Sequence, residues 1–262
     1  MSNSKKGVVP MTKGTILNKS QSPKTEKEMN QMASIPFASA IGSIMYAMLC
    51  TRPDVSFALS LTSRYQQSPG LAHWTAVKNI LKYLRNTSEM FLVFGGTNEL
   101  AVKCYTDASF QTDRDDSRSQ SGYVFILNGG AVSWCSTKQS VVADSTTESE
   151  YIAASEAAKE AVWMKKFITD LDVVPSVKQP IEMMCDNTGA IAQAKEPRSH
   201  KKAKHILRKF HYIREVVERN EIKICKVDTD QNLADPFTKP MTHETHDRHR
   251  EAIGLKLAKD MF

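Results

Sequence analysis

Two short runs decide the fold: Val102–Ser109, VKCYTDAS, and Ile181–Gly189, IEMMCDNTG. Each is a strand-like apolar stretch that closes on an aspartate, Asp107 in the first and Asp186 in the second. Acids at the carboxyl ends of strands face the position where α/β sheets build their sites. Two further acids lie in comparable settings. Glu150 sits in DSTTESEY at the head of a long Ala-rich helical pattern, and Asp235 sits in NLADPFTK. Carboxylates gathered from distant parts of a chain repel one another unless positive charge lies between them. A pair of divalent cations supplies that charge and suits phosphodiester chemistry.

Each acid also has a purely structural reading. Asp107 and Asp186 precede Ala-Ser and Asn-Thr-Gly, which suit turns or helix caps. Asp235 precedes Pro236, as an N-cap precedes a first helical proline. Glu148 and Glu150 each stand three residues after a hydroxyl, Ser145 and Thr147, as in a capping box. Residues two apart lie on different sides of a helix, so one can cap while the other faces the sheet. Glu148 remains the alternative to Glu150.

Outward from these runs the hydrophobic period assigns the elements. Strands are expected over 100–106, 122–127 and 131–136, with Asn128-Gly129 as a hairpin turn. A helix is expected over 147–171, with Ile152, Ala157, Ala161, Met164 and Ile168 on its apolar side. A strand (181–185), a short helix (188–194), a longer helix (206–219), a strand (222–227) and a last helix near 232–238 follow. Upstream, 37–49, 53–67 and 73–85 read as an all-helical segment. The order βββαβααβα predicts an α/β domain, a mixed sheet with helices packed on it. The boundaries expected are a polar, disordered linker over 1–34, a helical segment over 35–96, the α/β domain over 97–240 and a charged tail over 241–262, with a weak helical pattern near 253–257.

The 262-residue chain carries 35 basic and 29 acidic residues, a net charge of +6. Its mean hydropathy of −0.39 fits a soluble globular protein. The five cysteines include no Cys-x-x-Cys pair and read as reduced thiols, which predicts an intracellular protein, cytoplasmic or nuclear. No signal peptide is evident in MSNSKKGVVPMTKG, and the apolar stretch 35–50 is too short for a comfortable membrane span. The sharpest charge asymmetry is Lys195–Arg214, with eight Lys or Arg, three His and one acid. It predicts phosphate contact through Lys201, Lys202, Lys204 and Arg208. His200, His205 and His211 have the wrong spacing for ligands on one helical face. His243, His246 and His249 are better spaced but read as part of the polar tail. Arg114, Ser117, Arg118, Ser119 and Ser121 form a basic, hydroxyl-rich loop that suits either a sugar-phosphate backbone or a plain polar turn.

Four runs together carry a family resemblance: YTDASFQTDRDDSRSQSGYVFILNGGAVSWCSTKQ, STTESEYIAASEAAKEAVWMKKF, CDNTGAIAQAKEPRSHKKAKHI and KVDTDQNLADPFTKP. In this order they resemble the ribonuclease H domain of copia-type LTR retrotransposon polyproteins, plant elements in particular. The upstream run IPFASAIGSIMYAMLCTRPDVSFALSLTSRYQQSPGLAHWTAVKNILKYLR resembles the segment that connects reverse transcriptase to that domain. The resemblance covers residues 30–240 and implies a ribonuclease H-like fold, a five-stranded mixed sheet flanked by helices. It implies cleavage of the RNA strand of an RNA–DNA hybrid by two Mg²⁺ ions, with Mn²⁺ as substitute. It assigns Asp107, Glu150, Asp186 and Asp235 as the catalytic and metal-holding acids, with Asp107 shared by both ions. The hybrid would be sensed by minor-groove shape and 2′-hydroxyls. The implied partner protein is the polymerase part of the parent polyprotein, and no Tyr-x-Asp-Asp polymerase motif is present. Two alternatives remain: a non-catalytic nucleic-acid-binding remnant, and a nuclease or transposase of the same fold class acting on DNA.

Overall fold

The computed structural model describes residues 4–95, 100–172, 179–196 and 210–258. Its centre is a five-stranded sheet. Strands β2 (Lys103–Ser109), β3 (Gln120–Leu127) and β4 (Gly130–Lys138) follow β1 (Met90–Leu92) and form an antiparallel meander. The β3–β4 hairpin turns on Asn128 and Gly129, with φ of 51° and 80°. Positive φ at both central residues is what a two-residue primed turn demands. Strands β5 (Ile181–Cys185) and β6 (Ile222–Lys226) add in parallel on the other side of β2. The sheet order is β4-β3-β2-β5-β6. This is the five-stranded mixed sheet flanked by helices that the resemblance implied, a ribonuclease H-like fold preceded by a helical segment.

That helical segment comprises α1 (Glu26–Ala33), α2 (Phe37–Cys50), α3 (Ser56–Ser63) and α4 (Leu71–Asn86). The expected helix over 53–67 is shorter and begins with a 3-10 turn over Pro53–Val55. Phe37, Ile41, Ile44, Val55, Leu59, Val77, Ile80 and Tyr83 form its own core.

The 26-residue helix α5 (Thr146–Leu171) packs Tyr151, Ile152, Ala154, Ala157, Ala158 and Ala161 against Cys104, Phe125 and Met183 of the sheet. Helices α6 (Thr188–Lys195) and α7 (Tyr212–Glu218) share that layer through Ala190, Ala194, Ile213 and Val216. Small alanines let α5 lie close to the strands. The opposite face of the sheet, with Val124 and Tyr105, is covered by Phe237, Ile253 and Leu255. The sheet is therefore sandwiched, and the two covering layers come from different parts of the chain.

Two expectations are corrected. Residues 4–34 are not a loose linker: Met11 and Leu17 are buried in the core of the helical segment, and α1 starts with a capping box from Thr25 and Glu28. Nor is 241–258 a free charged tail. It forms helix α8 (His243–Ala252) and strand β7 (Leu255–Leu257), which pairs antiparallel with β1. The pattern near 253–257 is thus a turn and strand, not a helix. The physical reason is burial of Ile253 and Leu255 under the sheet, which draws the polar helix with it and buries His246 and His249. Among the described residues no single helix is long and apolar enough to cross a membrane.

Candidate active site

The four acids meet at the end of β2 and β5, where the two covering layers approach each other. Asp107 lies on β2 opposite Gly122 of β3. A Cβ at Gly122 would come within 2.7 Å of Phe237 and Thr238, so only glycine lets the segment Asp235–Thr238 settle beside Asp107. That segment opens with the 3-10 turn Asp235–Phe237. Asn232 fastens it by donating from Nδ2 to the Thr106 carbonyl at 3.0 Å. Asp186 directly follows β5, and Asn187 caps α6 by accepting from the Ala190 amide at 2.9 Å. Glu150 comes from the first turns of α5 on the other face. Gly189 allows the close contact, since a Cβ there would meet Thr147 at 2.9 Å.

The choice between the two glutamates has a structural explanation. Glu148 Oε2 accepts from the Asp144 amide at 2.9 Å, and the Glu148 amide donates to Ser145 Oγ at 3.1 Å. Glu148 thus closes the helix start. Glu150 points to the acids instead.

One carboxylate oxygen each from Asp107, Asp186 and Asp235 lie within 4.8 Å of one another, and Glu150, Cys185 and Asp186 form a second such group. Asp107, Glu150 and Asp235 are buried, at 3, 7 and 6% exposure. Burial, then the charges of Asp107 and Asp186, push the Glu150 carboxyl up to about 10. Burial and Asp107 push Asp235 up to about 7. Burial also pushes the Cys185 thiol up to about 12, so without a cation it stays neutral beside the acids.

Two neighbours were not singled out from the sequence. Lys239 Nζ lies 2.9 Å from Asp235 Oδ1 and 3.7 Å from Asp107 Oδ2. Thr238 Oγ1 donates to Asp107 Oδ2. The signal available for Lys239 was its four-residue spacing from Asp235.

A divalent metal fits this set. The donors are carboxylate oxygens, which suit hard cations. Among the described residues Glu150 Oε2 is buried with no hydrogen-bond partner. An orphaned buried carboxylate oxygen costs free energy unless a cation or donor reaches it.

The expected phosphate-binding residues Lys201, Lys202, Lys204 and Arg208 lie outside the described residues, as do His200 and His205. The loop with Arg114, Ser117 and Arg118 links β2 to β3. Its Asp113 accepts from the amides of Asp115 and Asp116 and pairs with Arg64 of the helical segment at 2.6 Å.

No family model matches the chain. Among curated proteins, the retrovirus-related Pol polyprotein from transposon TNT 1-94 of Nicotiana tabacum is 41% identical over 255 residues, 97% of this chain. The chain spans only 19% of that polyprotein's length. Secreted RxLR effector protein 161 of Plasmopara viticola is 46% identical over 133 residues, 51% of this chain and 94% of that protein. Among solved structures, LC11-RNase H1 isolated from compost aligns with 57% of this chain and 97% of its own, at 18% identity and a TM-score of 0.39.

Proposed function

Because the chain belongs to the retrovirus-related Pol polyproteins of transposons, we propose that it is their ribonuclease H segment and that it cleaves the RNA strand of RNA–DNA hybrids. The observation that carries this reading is the convergence of Asp107, Asp186 and Asp235 within ligand distance of one another, with Glu150 beside Asp186.

In this reading Asp107, Glu150, Asp186 and Asp235 would hold two Mg²⁺, or Mn²⁺, ions. When bound, such a pair makes a water nucleophilic and stabilises the departing 3′ oxygen. The chain's own residues supply the rest. Thr238 fixes the orientation of the Asp107 carboxylate. Burial and the neighbouring acids keep the Glu150 carboxyl protonated, so it would hold a cation only after releasing that proton to solvent. The apolar packing of α5 against β2 keeps bulk water from the inner side of the acids. Hydrolysis by this route leaves 5′-phosphate and 3′-hydroxyl ends. Lys201, Lys202, Lys204 and Arg208 are proposed to hold the backbone of the hybrid, and the polymerase part of the polyprotein is the proposed partner.

The test is a labelled RNA–DNA hybrid with Mg²⁺, beside duplex DNA and duplex RNA. Selective cutting of the hybrid's RNA strand, abolished in Asp107→Asn, is expected. Cutting that survives Asp107→Asn excludes the assigned site. Preference for duplex DNA points to a DNA nuclease of the same fold class. Salt-sensitive binding without turnover points to a non-catalytic nucleic-acid-binding segment.

A further inference from the structure

We infer that Lys239 is the resident counter-ion of the acidic cluster in the metal-free protein, and that a divalent cation must displace its ammonium to enter. The inference rests on the metal-binding reading above and adds a competitor built into the chain.

The geometry carries it. The Lys239 ammonium lies 2.9 Å from Asp235 Oδ1 and 3.7 Å from Asp107 Oδ2, so one cation bridges an acid of the central sheet and an acid of the segment packed on it. Those two oxygens belong to residues of the same three-acid group that could hold a metal. The groups facing the ammonium are Asp107, Asp235 and, further off, Asp186. The neutral ring of His249 also senses its charge. An ammonium and a divalent ion within a few ångströms of one another repel strongly in a partly buried site. Both cannot occupy the gap between Asp107 and Asp235. The Lys239 side chain is 39% exposed, whereas Asp107 and Asp235 side chains are 4% and 9% exposed. The lysine therefore has an open route to solvent and the acids do not. On displacement its ammonium swings outward, where it meets an anionic backbone.

This arrangement has a functional consequence. Without metal, burial of mutually repelling carboxylates destabilises the fold, and Lys239 offsets part of that repulsion. The same contact weakens the cluster's affinity for metal. Lys239 is thus a positioning residue that sets the metal concentration at which the site loads.

The test measures Mn²⁺ binding by calorimetry and thermal unfolding in EDTA, on the wild-type chain, Lys239→Met and Lys239→Arg. Lys239→Met is expected to bind Mn²⁺ about tenfold or more tightly, because the competitor is gone. It is also expected to unfold in EDTA several degrees below wild type and to recover when Mn²⁺ is added. Lys239→Arg keeps the charge and should stay near wild type in EDTA. Equal or weaker Mn²⁺ binding by Lys239→Met overturns the inference while leaving the metal site intact. Should Lys239→Met be unfolded in EDTA, Mn²⁺-driven refolding supports the inference and its failure overturns it. Absence of saturable Mn²⁺ binding by both wild type and Lys239→Met sinks the metal reading itself.

Discussion

Two regions of this molecule bury carboxylates, and they do so in opposite ways. In the helical segment Asp54 is gripped by Arg52, with contacts of 3.0 Å from Nε and 2.7 Å from Nη2. Tyr83 donates its hydroxyl to Asp54 at 2.5 Å, and Arg52 also donates to Thr87 Oγ1 at 2.6 Å and its carbonyl at 3.2 Å. Burial alone would raise the Asp54 carboxyl, but the charge and hydrogen bonds of Arg52 outweigh it and hold it below the usual carboxylate range. At the end of the sheet the Lys239 ammonium pairs with Asp107 and Asp235, and the Lys226 ammonium reaches Asp186 only at its backbone carbonyl. There the carboxyls of Glu150 and Asp235 rise instead. A carboxylate whose burial is compensated within the chain serves structure. A cluster left short of positive charge is shaped for something brought from outside.

The strongest way to break this contrast is to remove one acid from each region. Asp54→Asn leaves the Arg52 guanidinium buried without its counter-charge and should lower stability by about 3–5 kcal/mol. Asp107→Asn removes a repelling charge and should leave metal-free stability unchanged or slightly higher, while cleavage is lost. Urea unfolding in EDTA reads both. A neutral Asp54→Asn beside a destabilised Asp107→Asn would reverse the argument.

The pH dependence of stability sharpens it further, since the two regions give opposite signs. For Glu150 the folded value, about 10, lies above the unfolded value of 4.5. Its contribution is fully present below pH 4.5 and is lost as pH rises towards 10. Asp235 behaves likewise between 3.8 and about 7. The metal-free protein should therefore lose about 2 kcal/mol or more between pH 5 and 7 from these groups. Glu150→Gln should flatten that slope, and so should saturating Mg²⁺. Asp54, lowered on folding, contributes stability that is present above its unfolded value of 3.8 and is lost only as pH falls through its folded value. A metal-free protein whose stability rises from pH 5 to 7 contradicts the account of the acidic cluster.

The contrast also explains what was legible beforehand. The four acids stood out because each ended a strand or opened a helix, and local period placed those elements well. Asn128-Gly129 marked its hairpin for the same local reason. Lys239 is not legible in the sequence as a partner of Asp107, because a counter-ion is defined by where the chain returns. The ends of the chain are hard to read for a similar reason. Residues 4–34 offer only scattered apolar anchors such as Met11 and Leu17, too sparse for a period. In α8 the buried side is His246, His249 and Arg250, polar residues that a hydrophobic pattern cannot register. Their burial follows from β7 pairing with β1, a contact between residues more than 150 positions apart.

Smaller effects probe how the site is held. Thr238→Val removes the hydroxyl that donates to Asp107 and leaves the carboxylate free to rotate. A hydrogen bond to a charged group contributes about 1.5–3 kcal/mol. Cleavage of the hybrid should slow about tenfold or more, a barrier increase of about 1.4 kcal/mol. Fold stability should fall by no more than about 1.5–3 kcal/mol, because valine keeps the packing against Gly122 and loses only the hydroxyl. A Thr238→Val protein that cleaves at the wild-type rate would remove Thr238 from the site.

The smallest effect separates the two glutamates on α5. Glu148 is tied to the Asp144 amide and completes the helix start with Ser145, while Glu150 two residues on faces the acids. Glu148→Ala should cost about 1 kcal/mol of stability through the lost cap, with Mn²⁺ affinity unchanged. Glu150→Gln should do the reverse, weakening Mn²⁺ binding without loss of metal-free stability. Calorimetric titration of both variants decides between them. If Glu148→Ala abolishes Mn²⁺ binding while Glu150→Gln retains it, the roles are exchanged, and Glu150 would become a buried acid with no account of its orphaned oxygen.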